Sequence, residues 1–109
     1  MAQVQNIYID QGTTFSFTIA VGDQYGDAKD LSDYTAASQM RKSFYTNTAI
    51  DFTAEISSPL DGEVTISLTA EETSAIKAGR YVYDIEIVSA EETLRVLEGI
   101  VVVNPEVTK

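Results

Sequence analysis

Cysteine and histidine are both absent from the 109 residues. Without cysteine there is no disulfide framework and no thiolate metal site. Without histidine, the commonest transition-metal ligand and the usual neutral-pH general base are missing. Hydrolase triads, zinc centres and haem sites are thereby excluded in their ordinary forms. Cations are scarce too: seven Lys and Arg face seventeen Asp and Glu, a formal net charge of -10. Such a chain is soluble and repels phosphate backbones, and it lacks the clustered cations that nucleic-acid binding uses. The opening MAQVQNIYIDQ has neither a basic stretch nor an apolar core, so no signal peptide is expected. No apolar run approaches the ~20 residues of a membrane helix. The expectation is a protein made in the cytoplasm that stays there, or leaves by a route other than secretion.

The length suits one domain, 1–109, able to bury a core without disulfides or metal. Short period-two patterns recur along it. They cover residues 4–9, 13–21, 34–42, 50–56, 63–68, 80–88 and 93–103. Phe15, Phe17 and Ile19 alternate with Thr14, Ser16 and Thr18; Ile50, Phe52, Ala54 and Ile56 alternate with Asp51, Thr53 and Glu55. GDQYGDAKDLSD reads as a turn and surface loop, SFYTNT as a loop, and SSPLDGE as a turn with Pro59 to start it and Asp61-Gly62 to close it. One helical piece intervenes: Thr69 and Glu72 form a capping box, and Gly79 is placed to end the turn in a left-handed conformation. About seven strands with turn signals every ~8–12 residues are the spacing of an all-β antiparallel sandwich with one short helix. The lack of long crossover helices argues against a parallel α/β fold.

Reactive chemistry is thin. Asp23, Asp27, Asp30 and Asp33 are spaced by four, three and three, which is not a calcium-loop pattern; they read as a solvated acidic loop. Glu71 and Glu72 are accounted for by the helix N-terminus. Asp84 and Glu86 lie on the polar side of a strand, where Arg95 of the next strand can offset one of them. GDQYGD lacks the lysine of a phosphate loop. No catalytic residue, cofactor or metal site is expected. Among the six tyrosines and four phenylalanines, those at strand spacing read as core, leaving Tyr25, Tyr34, Phe44 and Tyr45 as contact candidates in or beside loops.

The last strand is apolar on both sides: Val96, Ile100 and Val102 on one, Leu97, Val101 and Val103 on the other. One explanation is a central strand with one face in the core and the other covered by the helix or a loop. Another is that Leu97, Val101 and Val103, with Val82 and Val88, form an exposed patch that meets another subunit. A third is an edge strand that extends a partner's sheet. Leu97, Val101 and Val103 are taken as the partner contacts.

The order IDQGTTFSFTI, GDQYGD, DLSDYTAASQMRK, IDFTAEI, DGEVTISLTAEETSAIKAGRYVYDIEI and LEGIVVVNPEVTK resembles a family of small bacteriophage virion proteins. It is also similar to the immunoglobulin-like N-terminal domain of phage baseplate upper proteins. The resemblance spans nearly the whole chain and is carried most by LTAEETSAIKAGRYVYDIEI and LEGIVVVNPEVT. It implies an immunoglobulin-like fold without enzyme activity, located in the virion, contacting other virion proteins in a symmetric assembly. Tail, baseplate or fibre attachment is the implied place. A head decoration protein and a carbohydrate-binding module using loop aromatics are the alternatives.

Overall fold

Alternating apolar and polar residues make strands wherever one face can be buried, and the computed structural model of the chain follows that rule. It describes residues 3–23, 25–43 and 49–107. In chain order come β1 (Gln3–Val4), β2 (Ile7–Asp10), β3 (Phe15–Ala20), β4 (Thr35–Arg41), β5 (Ile50–Asp51), β6 (Thr53–Ser58), β7 (Glu63–Leu68), α1 (Ala70–Ser74), β8 (Gly79–Val88) and β9 (Thr93–Asn104). The larger sheet runs β1-β9-β8-β4-β5, with β2 also on β9; the smaller runs β3-β7-β6. The β4, β8 and β9 strands facing β3, β7 and β6 reproduce the two layers of an immunoglobulin-like sandwich. Tyr81, Tyr83, Ile85 and Ile87 from β8 and Val64, Ile66 and Leu68 from β7 meet in one core.

Three departures from the sequence reading have physical causes. The stretch 50–56 is not one strand: β5 pairs with β4, and β6 pairs with β7 in the other sheet. The chain changes layers at Phe52, whose N–H still donates to the Ser38 carbonyl at 3.0 Å. Its ring fills the gap, 6.0 Å from Phe15 and 6.4 Å from Tyr83. The helix is also shorter than its signals. The capping box forms, with Glu72 N–H donating to Thr69 Oγ1 at 3.1 Å and Thr69 N–H to Glu72 Oε1 at 2.8 Å. However, Ala75 ends the helix in a right-handed conformation, because buried Thr73 donates to Thr13 O and Ile76 is drawn into the core. Gly79, at φ +143°, instead opens β8.

Finally, β1 and β2 run parallel to β9, not antiparallel. No hairpin joins them, so the turn rule that fixes antiparallel pairing has no purchase here. Gln5 and Asn6 interrupt the two pieces. The Asn6 side-chain oxygen accepts from Ile100 N–H at 3.1 Å in place of a backbone acceptor. The Gln5 carbonyl turns inward over Gly99 and accepts from the Tyr83 hydroxyl at 2.5 Å.

Burial pushes the Tyr83 phenol up to about 12 from 10.0. A phenol whose folded-state value is raised supports the fold fully below the unfolded value, and that support is lost as pH climbs through the folded value. Stability is therefore expected to fall between pH 10 and 12. Tyr83→Phe strands the Gln5 carbonyl, costs about 1–2 kcal/mol at neutral pH, and flattens that alkaline decline. Tyr81, also raised by burial, leaves a residual slope. Urea unfolding of both proteins across this pH range is the check; an undiminished decline in the variant would remove Tyr83 as its source.

Candidate interaction face

The register of the β8–β9 hairpin decides which apolar side of the last strand is inside. Residues directly opposite in an antiparallel pair project to the same side. Val101 lies opposite Tyr81, Leu97 opposite Ile85 and Val103 opposite Gly79. All three therefore join the core, at 4% exposure for Leu97, 0% for Val101 and 2% for Val103. The expectation that these three form the partner contact is corrected: their side faces the smaller sheet. The edge-strand reading fails as well, since β9 lies between β8 and the β1 and β2 pieces.

The outward side carries the other set. Val82 stands opposite Ile100, and Arg80 opposite Val102. Tyr8 lies beside Val102, and Val4 beside Glu98. Tyr8 is 67% exposed and Val4 73%; Val82, Ile100 and Val102 are half-buried. Together they make an apolar stripe across three neighbouring lines of the larger sheet, and among the described residues no helix or loop lies over Tyr8 and Val4. Polar residues continue the face. A register shift between Ile85 and Glu86 leaves Val96 as an extra residue and sets Arg95 opposite Glu86. Arg95 reaches Asp84 at 3.3 Å and Glu98 at 3.6 Å, as the strand pattern led one to expect. Arg41 lies opposite Val82, so all three arginines of the chain occupy this one face. Such exposed pairs contribute little to stability, but they set a charge pattern.

The aromatic candidates divide. Tyr25 is 79% exposed at the tip of the 22–28 loop. Tyr34 is half-buried and has partners within the chain: it packs against the core, its hydroxyl donates to Glu92, and Lys29 Nζ sits 5.3 Å from its ring centre. Phe44 and Tyr45 lie outside the described residues. The acidic loop uses its carboxylates internally. Asp23 Oδ1 accepts from the N–H groups of Tyr25 and Asp27, and Asp30 Oδ1 accepts from Ser32, whose hydroxyl and N–H hold the carboxyl below its ordinary value. Among the described residues no three His, Cys, Asp or Glu side chains gather as a metal site would need. A groove of about 690 Å³ runs between the free side of β3 and β1, over Phe17, Ile19, Leu94 and Val96; its rim holds Lys29 and Arg95, both committed to carboxylates.

Val4 and Tyr8, both exposed, are not among the candidates that the sequence offers. The signal was there: in IYID, Tyr8 alternates with two isoleucines that are both buried, which aims the tyrosine outward.

No protein-family model matches the chain, and no curated protein matches it in sequence. Solved structures of similar shape include a crystal structure of Listeria monocytogenes InlP, at 14% identity and a TM-score of 0.48 over 94% of this chain. The chain spans 28% of that protein's length. The structure of murine CRIg is similar at 7% identity and a TM-score of 0.43, over 93% of this chain and 92% of that one. The immunoglobulin-like assignment rests on the strand order of the chain itself.

Proposed function

We propose that this domain is a non-catalytic structural component of a bacteriophage particle, in its tail or baseplate, and works by protein–protein contact. The observation that carries the contact part of this reading is the apolar stripe of Val4, Tyr8, Val82, Ile100 and Val102 on the outer face of the larger sheet. Small domains have little reason to leave such a stripe facing water unless something covers it. The motif order from QGTTF to LEGIVVVNP supports the placement in a virion. The lack of histidine and cysteine and the internal use of Asp23 and Asp30 leave little with which to build a catalytic site.

The test is the composition of purified particles. Heads and tails are separated and each is probed with an antibody against the domain. The expected result is a fixed copy number in tails, reduced when Val102→Lys places a charge in the stripe. Recovery in heads alone would replace this reading with head decoration, and absence from both would end it.

A further inference from the structure

The edges of the two sheets are not alike. β1 and β5 are two residues each, β2 ends on Asp10, and β6 carries Glu55 and a register shift between Ile56 and Ser58. Short length, charge and a bulge each discourage a further strand from pairing. β3, the remaining edge, has none of these guards. It pairs with β7 without interruption from Phe15 to Ala20, and among the described residues no strand lies on its other side. Residues 11–22, which contain it, are the longest stretch of the chain without a charged side chain, and they hold no proline. Val21 N–H donates to Gly62 O at 2.8 Å. Odd-numbered residues here therefore turn their backbone groups toward β7, and Ser16, Thr18 and Ala20 turn theirs to the free side, unpaired. The inward side chains Phe15, Phe17, Ile19 and Val21 are half-buried, whereas Val64, Ile66 and Leu68 beside them on β7 are buried. The core is thus uncovered along the same edge that offers free backbone groups.

We propose that β3 pairs antiparallel with β3 of a second copy of the chain, centred on Thr18, so that the two smaller sheets join into one. In this register Ser16 stands opposite Ala20 of the other copy, and Thr18 opposite Thr18. Each such pair exchanges two backbone bonds. Between them Phe17 falls opposite Ile19 and Phe15 opposite Val21, so every ring meets a β-branched side chain, a favourable cross-strand pair. Centring the pairing on Ile19 would set Phe15 against Asp23, and centring it on Phe17 would set Val21 against Thr13. The strand is complementary to itself, and that selects a second copy as its partner. Charged groups flank the pairing without entering it. Asp10 and Asp23 stand beyond the two ends of β3, Glu63 lies one strand further in, and Lys29 and Arg95 on the rim of the groove each have a carboxylate partner. The contact is isologous, so it closes as a dimer and does not propagate. It uses a different surface from the stripe on the larger sheet and does not depend on the virion role.

Light scattering on the purified chain is expected to give the mass of a dimer, little changed by salt because no ion pair holds it. Thr18→Pro removes an outward N–H and no bond to β7, at a position where an edge strand accepts proline. It is expected to weaken the dimer at least about tenfold, since two backbone bonds are lost at the axis, with the circular dichroism spectrum unchanged. Cross-linking gives a readout that does not need the proline variant to fold. The chain has no cysteine, and the two Thr18 Cα atoms would lie about 5.5 Å apart, within disulfide reach. In oxidised glutathione, Thr18→Cys is expected to give a disulfide-linked dimer by thiol–disulfide exchange. Thr53→Cys, exposed on β6, is not. A monomeric wild-type chain overturns the inference. So does a Thr18→Pro protein that dimerises like wild type, or a Thr18→Cys protein that cross-links no more than the Thr53→Cys control. A dimer lost with Val102→Lys and kept with Thr18→Pro overturns it too, and puts the second copy on the stripe. A β3-paired dimer that is absent from particles leaves the inference standing and removes the virion role.

Discussion

Gly99→Ala is expected to destabilise the domain by about 3 kcal/mol, because the added methyl has no space. A Cβ at this position would lie 2.2 Å from the Gln5 carbonyl oxygen and 2.8 Å from its carbon. Both are backbone atoms, so no side chain can swing aside. The only relief is to lift the 3–6 segment off β9, and that also breaks the Tyr83 hydroxyl's bond to Gln5 and the Asn6 bond to Ile100. The glycine is thus required for the closeness of a crossing backbone rather than for an unusual torsion. Gly26 makes the opposite case: its φ is +86° and nothing lies within 4 Å, so alanine there costs only about 1 kcal/mol of torsional strain. Urea unfolding midpoints of the two variants decide the matter. A Gly99→Ala protein as stable as its Gly26→Ala counterpart would mean that the N-terminal segment does not press on β9.

Leu97→Ala is expected to cost about 3 kcal/mol, within the usual range for emptying a buried leucine site. Leu97 is 4% exposed, opposite Ile85, which is fully buried. Ile100→Ala, three residues along the same strand, removes the same three carbons from an outward, half-buried side chain. Measured at high dilution, where any dimer has dissociated, it is expected to cost under about 1 kcal/mol. The contrast is a direct reading of which side of β9 is inside. Equal losses, or a larger loss at Ile100, would return Leu97 to the surface and turn Val82, Ile100 and Val102 inward.

Much of the fold was legible because burial on one face writes itself into alternation. β3, β6, β7 and β8 could each be read in twos, the Thr69–Glu72 capping box formed as its spacing implied, and Arg95 met Asp84 across the hairpin. What escaped was whatever alternation cannot encode. In VLEGIVVVN both parities are apolar, so inside and outside are set by the register with β8, and that register shifts at Val96. The pattern from Ile50 to Ile56 runs unbroken through a change of sheet, because residues facing the space between two layers look alike from either layer. Tyr34 reads as a contact candidate beside a loop because Glu92, the acceptor of its hydroxyl, is brought to it by the distant turn between β8 and β9. Tyr8 and Val4 gain their place on the face from a parallel pairing that joins the two extremes of the chain.

That pairing has a mechanical consequence. The segment entering β2 and the segment leaving β9 depart from opposite ends of a single ladder, which runs from Ile7 and Val101 to Asp10 and Asn104. Further bonds reinforce it at either end, Gln5 N–H to Glu98 O at 2.9 Å and Gln11 N–H to Asn104 O at 3.0 Å. Tension on the polypeptide from the two sides would drag these strands lengthwise past each other, loading every rung together. An antiparallel arrangement at the same place would open one rung at a time, like a zip. The domain is built to resist being pulled along its own thread.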